Sequence, residues 1–205
     1  MSIKADLDAV NRALNLLGVE PIGNLGNDNS KAARIMKGLL TGCKKVVLNE
    51  FPWSFAVRIE PLRPAVGTPP SGYLYGFEYP GAVKNPNVEA VEGEALSVHR
   101  VYDGEGFRGV AEFRVIGGFI AANIASGSVE YTAYVDDLRQ WPVQILECLT
   151  TRLASDAAIQ LTGSGQMMSA LLEKYFALAR NAAQTSVVEE NVPPLRATGY
   201  VDARK

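Results

Sequence analysis

Phe51-Pro52-Trp53-Ser54-Phe55-Ala56 and Asp136-Asp137-Leu138-Arg139-Gln140-Trp141-Pro142 bracket a change in the pattern of the chain. Outside them, apolar residues recur at three- and four-residue spacing. Between them Gly, Pro, Tyr and Val dominate, and short alternating runs replace the helical period. The two stretches hold both tryptophans of the 205-residue chain. A large ring can cover two layers at such a point, so Trp53, Trp141 and the adjoining Pro52 and Pro142 read as the structural junction between a helical body and a β insertion.

Toward the N-terminus, Leu7, Val10, Leu14 and Leu17 form the buried stripe of a helix over Ala5 to Leu17. Gly18 is suited to ending it in the left-handed conformation, and Pro21 disfavours further helix. Asn29 or Ser30 is placed to cap a second helix, whose apolar face comprises Ala33, Ile35, Met36, Leu39, Leu40, Cys43, Val46 and Val47. Lys31, Arg34, Lys37, Lys44 and Lys45 are read onto its other side. Either a solvated face or a surface for phosphate or a neighbouring subunit's acidic residues accounts for them.

Beyond the second junction, proline is tolerated in a first helical turn, so a third helix is expected to start near Trp141-Pro142. Leu146, Leu149, Leu153, Ala157 and Leu161 supply its stripe. Thr162-Gly163-Ser164-Gly165 breaks the run, and a fourth helix from about Gln166 to Gln184 presents Met167, Leu171, Tyr175, Leu178 and Ala182. The expected class is therefore α+β: an antiparallel body of about four helices with an inserted small antiparallel β region. Its parts are an N-terminal helical hairpin (1–50), the β insertion (51–136), a C-terminal hairpin completing the body (137–184) and an extended C-terminal arm (185–205). Pro193-Pro194 disfavours helix in that arm.

Within the insertion, Phe55 to Ile59, Leu96 to Tyr102, Phe113 to Ile116, Phe119 to Ala122 and Val129 to Val135 read as strands of a small antiparallel meander. Gly117-Gly118 is a two-residue hairpin signal. The Pro- and Tyr-rich stretch from Pro61 to Pro86 reads as an ordered covering loop or as a contact surface between subunits. Gly104, Gly106 and Gly109 satisfy the G-x-G-x-x-G spacing of nucleotide sites, but the residues after Gly109 read as strand, where a dinucleotide fingerprint requires a helix. A hairpin loop is expected there instead.

Reactive chemistry is sparse. His99, the single histidine, is expected on a strand face with Ser97 and Val101, and no nucleophile motif accompanies it. Glu92/Glu94 and Asp136/Asp137 are the acidic pairs available for acid/base hydrolysis, with surface turns or a helix cap as the simpler reading. Cys43 and Cys148 fall within amphipathic runs as small buried hydrophobes, and two distant cysteines with one histidine do not assemble four metal ligands. No catalytic, cofactor-binding or metal set is assigned. With 47% hydrophobic residues and a formal charge of −2, the chain is long enough for a substantial core. No run nears the ~20 apolar residues of a membrane span, and Met1 to Asp6 lacks a signal-peptide stretch. A soluble protein of intracellular origin is expected.

Ala9-Val10-Asn11, Leu17-Gly18-Val19-Glu20-Pro21-Ile22, Ala32-Ala33-Arg34-Ile35, Phe51-Pro52-Trp53-Ser54-Phe55, Trp141-Pro142 and Leu161-Thr162-Gly163 occur in an order that resembles the tail tubular protein A family, head-to-tail adaptors of short-tailed bacteriophages. The resemblance runs through roughly residues 5 to 184. It implies a virion subunit assembled in the host cytoplasm into a ring, expected to be a dodecamer. That ring would lie between portal protein and tail nozzle protein, with transient contact to phage DNA passing through it and no membrane contact. The C-terminal arm is then a candidate for docking to the portal, with Leu195 and Tyr200 as apolar anchors and Arg196, Arg204 and Lys205 meeting acidic groups. A carbohydrate-active phage tail protein using paired acidic residues is the alternative function, and a helical binding module unrelated to virions is a third.

Overall fold

Helix α1 (Ile3–Leu16) is closed by its own sequence. Gly18 takes φ 68°, its N–H bonds to the Asn15 carbonyl, and the Val19 N–H reaches back to Leu14. That pairing satisfies two carbonyls the helix end would otherwise orphan. Asn11 then fixes the exit: its side-chain amide donates to the Ile22 carbonyl and its oxygen accepts the Ile22 N–H, at 3.0 and 2.9 Å. Helix α2 (Lys31–Glu50) opens on Ser30, whose side chain accepts the Ala33 N–H. The computed structural model describes residues 3–81, 92–104 and 109–189.

Pro142 stands at the N-cap of α3 (Val143–Thr162), one position earlier than a first-turn proline, and its carbonyl accepts from Ile145 and Leu146. The helix ends on Gly163 at φ 73°, and Ser164 caps the start of α4 (Gly165–Glu189) by accepting the Met167 N–H. Burial on α3 is wider than the predicted stripe. Besides Leu149, Leu153 and Ala157 it includes Cys148, Thr151, Ala154, Ser155 and Ala158. The cause is position, because α3 packs against α1, α2 and α4, and its small residues let three neighbours approach. The N-terminal pair is accordingly two helices laid on a common partner, with little contact to each other.

The strands make two antiparallel sheets instead of one meander: β1 (Val57–Pro61), β7 (Gly127–Ala133), β3 (Ala95–Asp103) and β4 (Gly109–Val110) in that order, and β2 (Tyr75–Glu78), β6 (Phe119–Ala122) and β5 (Phe113–Ile116). The Pro- and Tyr-rich stretch supplies β2, because Tyr75 and Phe77 alternate with Gly76 and Glu78 and pair with β6. The sheets share one small core, in which Val101, Val129 and Tyr131 meet Phe77, Ile120 and Ala122. Residues 185–189, expected as the start of an extended arm, are helical instead, since α4 continues through Glu189. Ala179, Ala182 and Ser186 keep the helical burial period, and the backbone stays helical through Val187 and Val188 despite the mild helix penalty of β-branched residues. Leu195, Arg196, Tyr200, Arg204 and Lys205 lie outside the described residues, as do most of the stretch after Gly81 and the centre of the Gly104 to Gly109 loop.

Gly109 begins β4, which pairs antiparallel with Tyr102 and Asp103 of β3. The third glycine of the nucleotide-like spacing thus opens a strand. Glycine is required most strictly at Gly127, where a Cβ would fall 2.0 Å from the Tyr102 carbonyl oxygen, whereas a Cβ at Gly42 in α2 would meet nothing within 4 Å. Gly127→Ala should therefore lower the unfolding free energy by about 2–3 kcal/mol through forced strand displacement. Gly42→Ala should raise it by about 0.5–1 kcal/mol through helix propensity. Urea titration of both variants checks the opposed signs.

Candidate functional site

The densest polar arrangement lies where the insertion joins the helices. Lys44 of α2 is 2% exposed. Its ammonium donates to the Asp136 carbonyl oxygen and to Asp136 Oδ1, both at 2.9 Å, and forms an ion pair at 2.9 Å with Asp6 Oδ1 of α1. This corrects the placement of Lys44 with the other cations on the side of α2 away from its apolar face. The signal was available, because Lys44 stands four residues from both Leu40 and Leu48, which are themselves buried. Buried on that line, with no acid four residues away on its own helix, the ammonium must reach carboxylates of other elements.

Asp136 collects further partners. Tyr134 Oη donates to the same Oδ1 at 3.0 Å, and the Asp136 N–H donates to Glu92 Oε2 at 2.6 Å. Desolvation pushes the Asp136 carboxyl up, but the hydrogen bond and charge of Lys44, with the Tyr134 hydroxyl, hold it below its ordinary value. Burial, and then Asp136, raise the Tyr134 phenol. Lys45 pairs with Glu94 at 3.6 Å and lies over the Tyr134 ring, 5.8 Å from its centroid. Asp137 caps the short 3-10 turn Leu138–Gln140 by accepting the Arg139 N–H, and the Arg139 side chain holds its carboxyl down at about 2. All four carboxylates of the two acidic pairs thus have protein partners: cations for three of them, a backbone N–H for Glu92.

Trp53 and Trp141 flank this cluster, 1% and 4% exposed in the helical core. The Trp53 indole N–H donates at 2.7 Å to Val47, one of the last carbonyls of α2, and the Trp141 indole donates at 3.1 Å to Val135. Phe55 contacts Trp141 at 5.7 Å between centroids. Pro52 is half-buried beside Trp53, and Pro142 is exposed at the start of α3.

A second polar group occupies the outer face of the β1-β7-β3-β4 sheet. The β3–β7 register slips between Val98 and Arg100, so Ser97 pairs on the Thr132 side while Val101 turns into the core against Val129. This corrects the shared face expected for Ser97, His99 and Val101, since a bulge reverses the alternation beyond it. His99 Nε2 lies 2.6 Å from Thr132 Oγ1, Tyr102 donates to Glu130, and Arg100 lies 3.7 Å from Glu130. Burial, with Arg100 adding to it, keeps the imidazole below its ordinary 6.5 against the pull of Glu130. Thr132 is 0% exposed, and Ser97 Oγ has no hydrogen-bond partner among the described residues. A Ser97–His99 nucleophile pair is therefore not assembled here.

Burial raises the thiol of Cys43 to about 12, with Asp156 adding to the effect, and raises that of Cys148 to about 11. Both are free and buried. Cys43 Sγ donates to Asp156, which also accepts from Arg152. Arg152 in turn lies over Tyr175, whose hydroxyl donates to Glu50. Among the described residues, no group of three or more His, Cys, Asp or Glu side chains is placed to hold a metal ion. No protein-family model matches the chain, and no curated protein matches it significantly.

Lys44→Met should lower the unfolding free energy by about 2 kcal/mol, since it leaves the partly buried Asp6 and the half-exposed Asp136 without the cation they share. Chemical denaturation at pH 7 checks this, and a change below about 1 kcal/mol would mean that the clamp adds little. The lowered His99 pKa means that the unfolded chain takes up a proton before the folded one does. Stability should therefore be complete above pH 6.5 and decline as pH falls below it. NMR titration of the single imidazole should give a midpoint below 6.5, and His99→Gln should remove that part of the pH dependence.

Proposed function

We propose that the chain is a structural virion subunit, a ring-forming adaptor that joins the portal to the tail nozzle of a short-tailed bacteriophage and lines a passage for the genome. The observation that carries this reading is where the residues behind the family resemblance fall in the fold. Leu17 to Ile22 form the α1 closure pinned by Asn11, Phe51 to Phe55 and Trp141-Pro142 form the junction, and Leu161 to Gly163 close α3. They are the positions that set how a helical wall carries a β unit, which supports a role in architecture.

Side chains on the helical body add to that support. Val143, Ile159 and Phe176 are large apolar residues at 75%, 53% and 42% exposure. Heterologous contacts between copies close into a ring when their rotation is right, and apolar residues at the surface of a wall suit such contacts. In this reading the residues from 190 onward, with Leu195, Arg196, Tyr200, Arg204 and Lys205, meet the portal. The four junction carboxylates hold the fold together and act on no glycan.

Negative-stain electron microscopy of the purified full chain tests the proposal. Closed rings are expected, with twelvefold class averages, and a chain ending at Glu189 should still form rings but lose its attachment to portal-bearing heads. A protein that stays monomeric at high concentration and is absent from the neck of virions would overturn the adaptor. Glycan hydrolysis abolished by Asp136→Asn in a folded protein would favour the carbohydrate-active alternative.

A further inference from the structure

Helix α2 segregates its charge along its length. Of its five cations, Lys44 is neutralised by Asp6 and Asp136, and Lys45 by Glu94, all near the junction. Lys31, Arg34 and Lys37 in the other half are exposed, and among the described residues none of them has an ion-pair partner. The helix contains no Asp or Glu before Glu50. At 1.5 Å rise per residue the three cations make a slanted row about 9 Å long.

The surroundings of the row narrow what it fits. Gly38, Thr41 and Gly42 lie beside it, and a Cβ at either glycine would meet nothing within 4 Å. The nearest large apolar residues, Ile35 and Leu39, are packed against the helical core. Protein interfaces draw their energy from large anchors seated in pockets, and base recognition in single strands draws on aromatic stacking platforms. The hollow on this face, lined by Lys31, Arg34, Ile35, Gly38, Leu39 and Gln160, is shallow, carries no aromatic side chain and is rimmed by two of the three cations. A bare row of cations is complementary to a phosphodiester backbone, recognised as charge and independent of sequence.

We propose that the exposed N-terminal half of α2 is the surface that meets duplex DNA, through Lys31, Arg34 and Lys37. The inference rests on the adaptor reading, which supplies duplex DNA as the polyanion; the residues locate where it touches. Three charges per subunit give a weak contact that dissociates readily, as passage of a genome requires. The overall charge of −2 limits non-specific retention elsewhere on the surface.

Fluorescence anisotropy of the full chain with a labelled duplex of arbitrary sequence, titrated between 50 and 200 mM salt, tests the proposal. Three phosphate contacts predict a slope of about −2.7 in log K against log salt for each subunit of the ring that engages the duplex, so a loss of affinity of about 40-fold or more across that range. Lys37→Gln alone should make the slope shallower by about a third. The combined Lys31→Gln, Arg34→Gln, Lys37→Gln variant should lose the salt-dependent component while melting as the parent does. An unchanged slope in the combined variant, or no binding by the parent at 50 mM salt, overturns the proposal. DNA binding that survives in a combined variant unable to form rings also overturns it, and reassigns the row to an acidic protein partner. Rings without DNA contact sink this inference alone, and DNA contact without rings sinks the adaptor reading alone.

Discussion

The ammonium of Lys44 is the point on which the two halves of the molecule depend. A lysine carries three N–H donors and no acceptor, and once buried it needs acceptors from more than one direction. Here they come from α1, through Asp6, and from the chain leaving β7, through the carbonyl and carboxylate of Asp136. Removing a cation from water costs several kcal/mol, and only close charged and hydrogen-bonded partners offset it. The position of the β7 exit is therefore tied to that of α1 by an interaction that tolerates little displacement. Lys45 makes a similar connection to Glu94, just before β3, so adjacent lysines hold the chain that enters β3 and the chain that leaves β7.

The apolar packing is arranged around that clamp. Val129, Tyr131 and Ala133 of β7 face the small core between the sheets, whereas Tyr134, Val135, Leu138 and Trp141 belong to the helical core. The change of core occurs between Ala133 and Tyr134, next to the clamp. Backbone bonds close the same place, from Ala133 to Ala56 and from Tyr134 to Glu94. Trp53 and Trp141 bury their rings and donate to carbonyls at the end of α2 and after β7. Each indole is buried in the helical core and satisfies an acceptor left over where a regular element stops.

The α+β class, the four helices and most strands were legible in the sequence because they rest on local signals. Gly18, Ser30 and Gly163 end or begin helices by backbone chemistry that needs no distant partner, and Gly117-Gly118 joins β5 to β6 as a hairpin. What was not legible depended on tertiary pairing. Lys44 reads as solvent-facing until the line from Leu40 to Leu48 is drawn, and even then its partners lie 38 and 92 positions away along the chain. The β3 bulge leaves no turn residue to mark it, so alternation alone puts Ser97 and Val101 on one face. In β2, Gly76 sits where Pro69 and Pro70 approach, and the density of turn-forming residues around it hid a strand. Helix α4 runs further than its local propensity suggests, because its packing continues to Ser186.

An ionic clamp at the root of the insertion serves a different end from an apolar one. Well-packed apolar residues of similar volume often replace a whole buried ion pair with no loss of stability, whereas removal of one partner is strongly destabilising. What the charged version adds is direction: an apolar contact can slide with little change in energy, but an ammonium held by two carboxylates and a carbonyl cannot. Cys43, Asp156, Arg152, Tyr175 and Glu50 place a second polar chain across α2, α3 and α4, so the helices that receive the clamp are themselves fixed in register. A displacement imposed on the β sheets would therefore pass into the helical body through Lys44 and Lys45, and not be absorbed at a flexible linker. In a repeating assembly, that stiffness would keep the angle between wall and insertion the same in every copy, which closure by identical contacts requires.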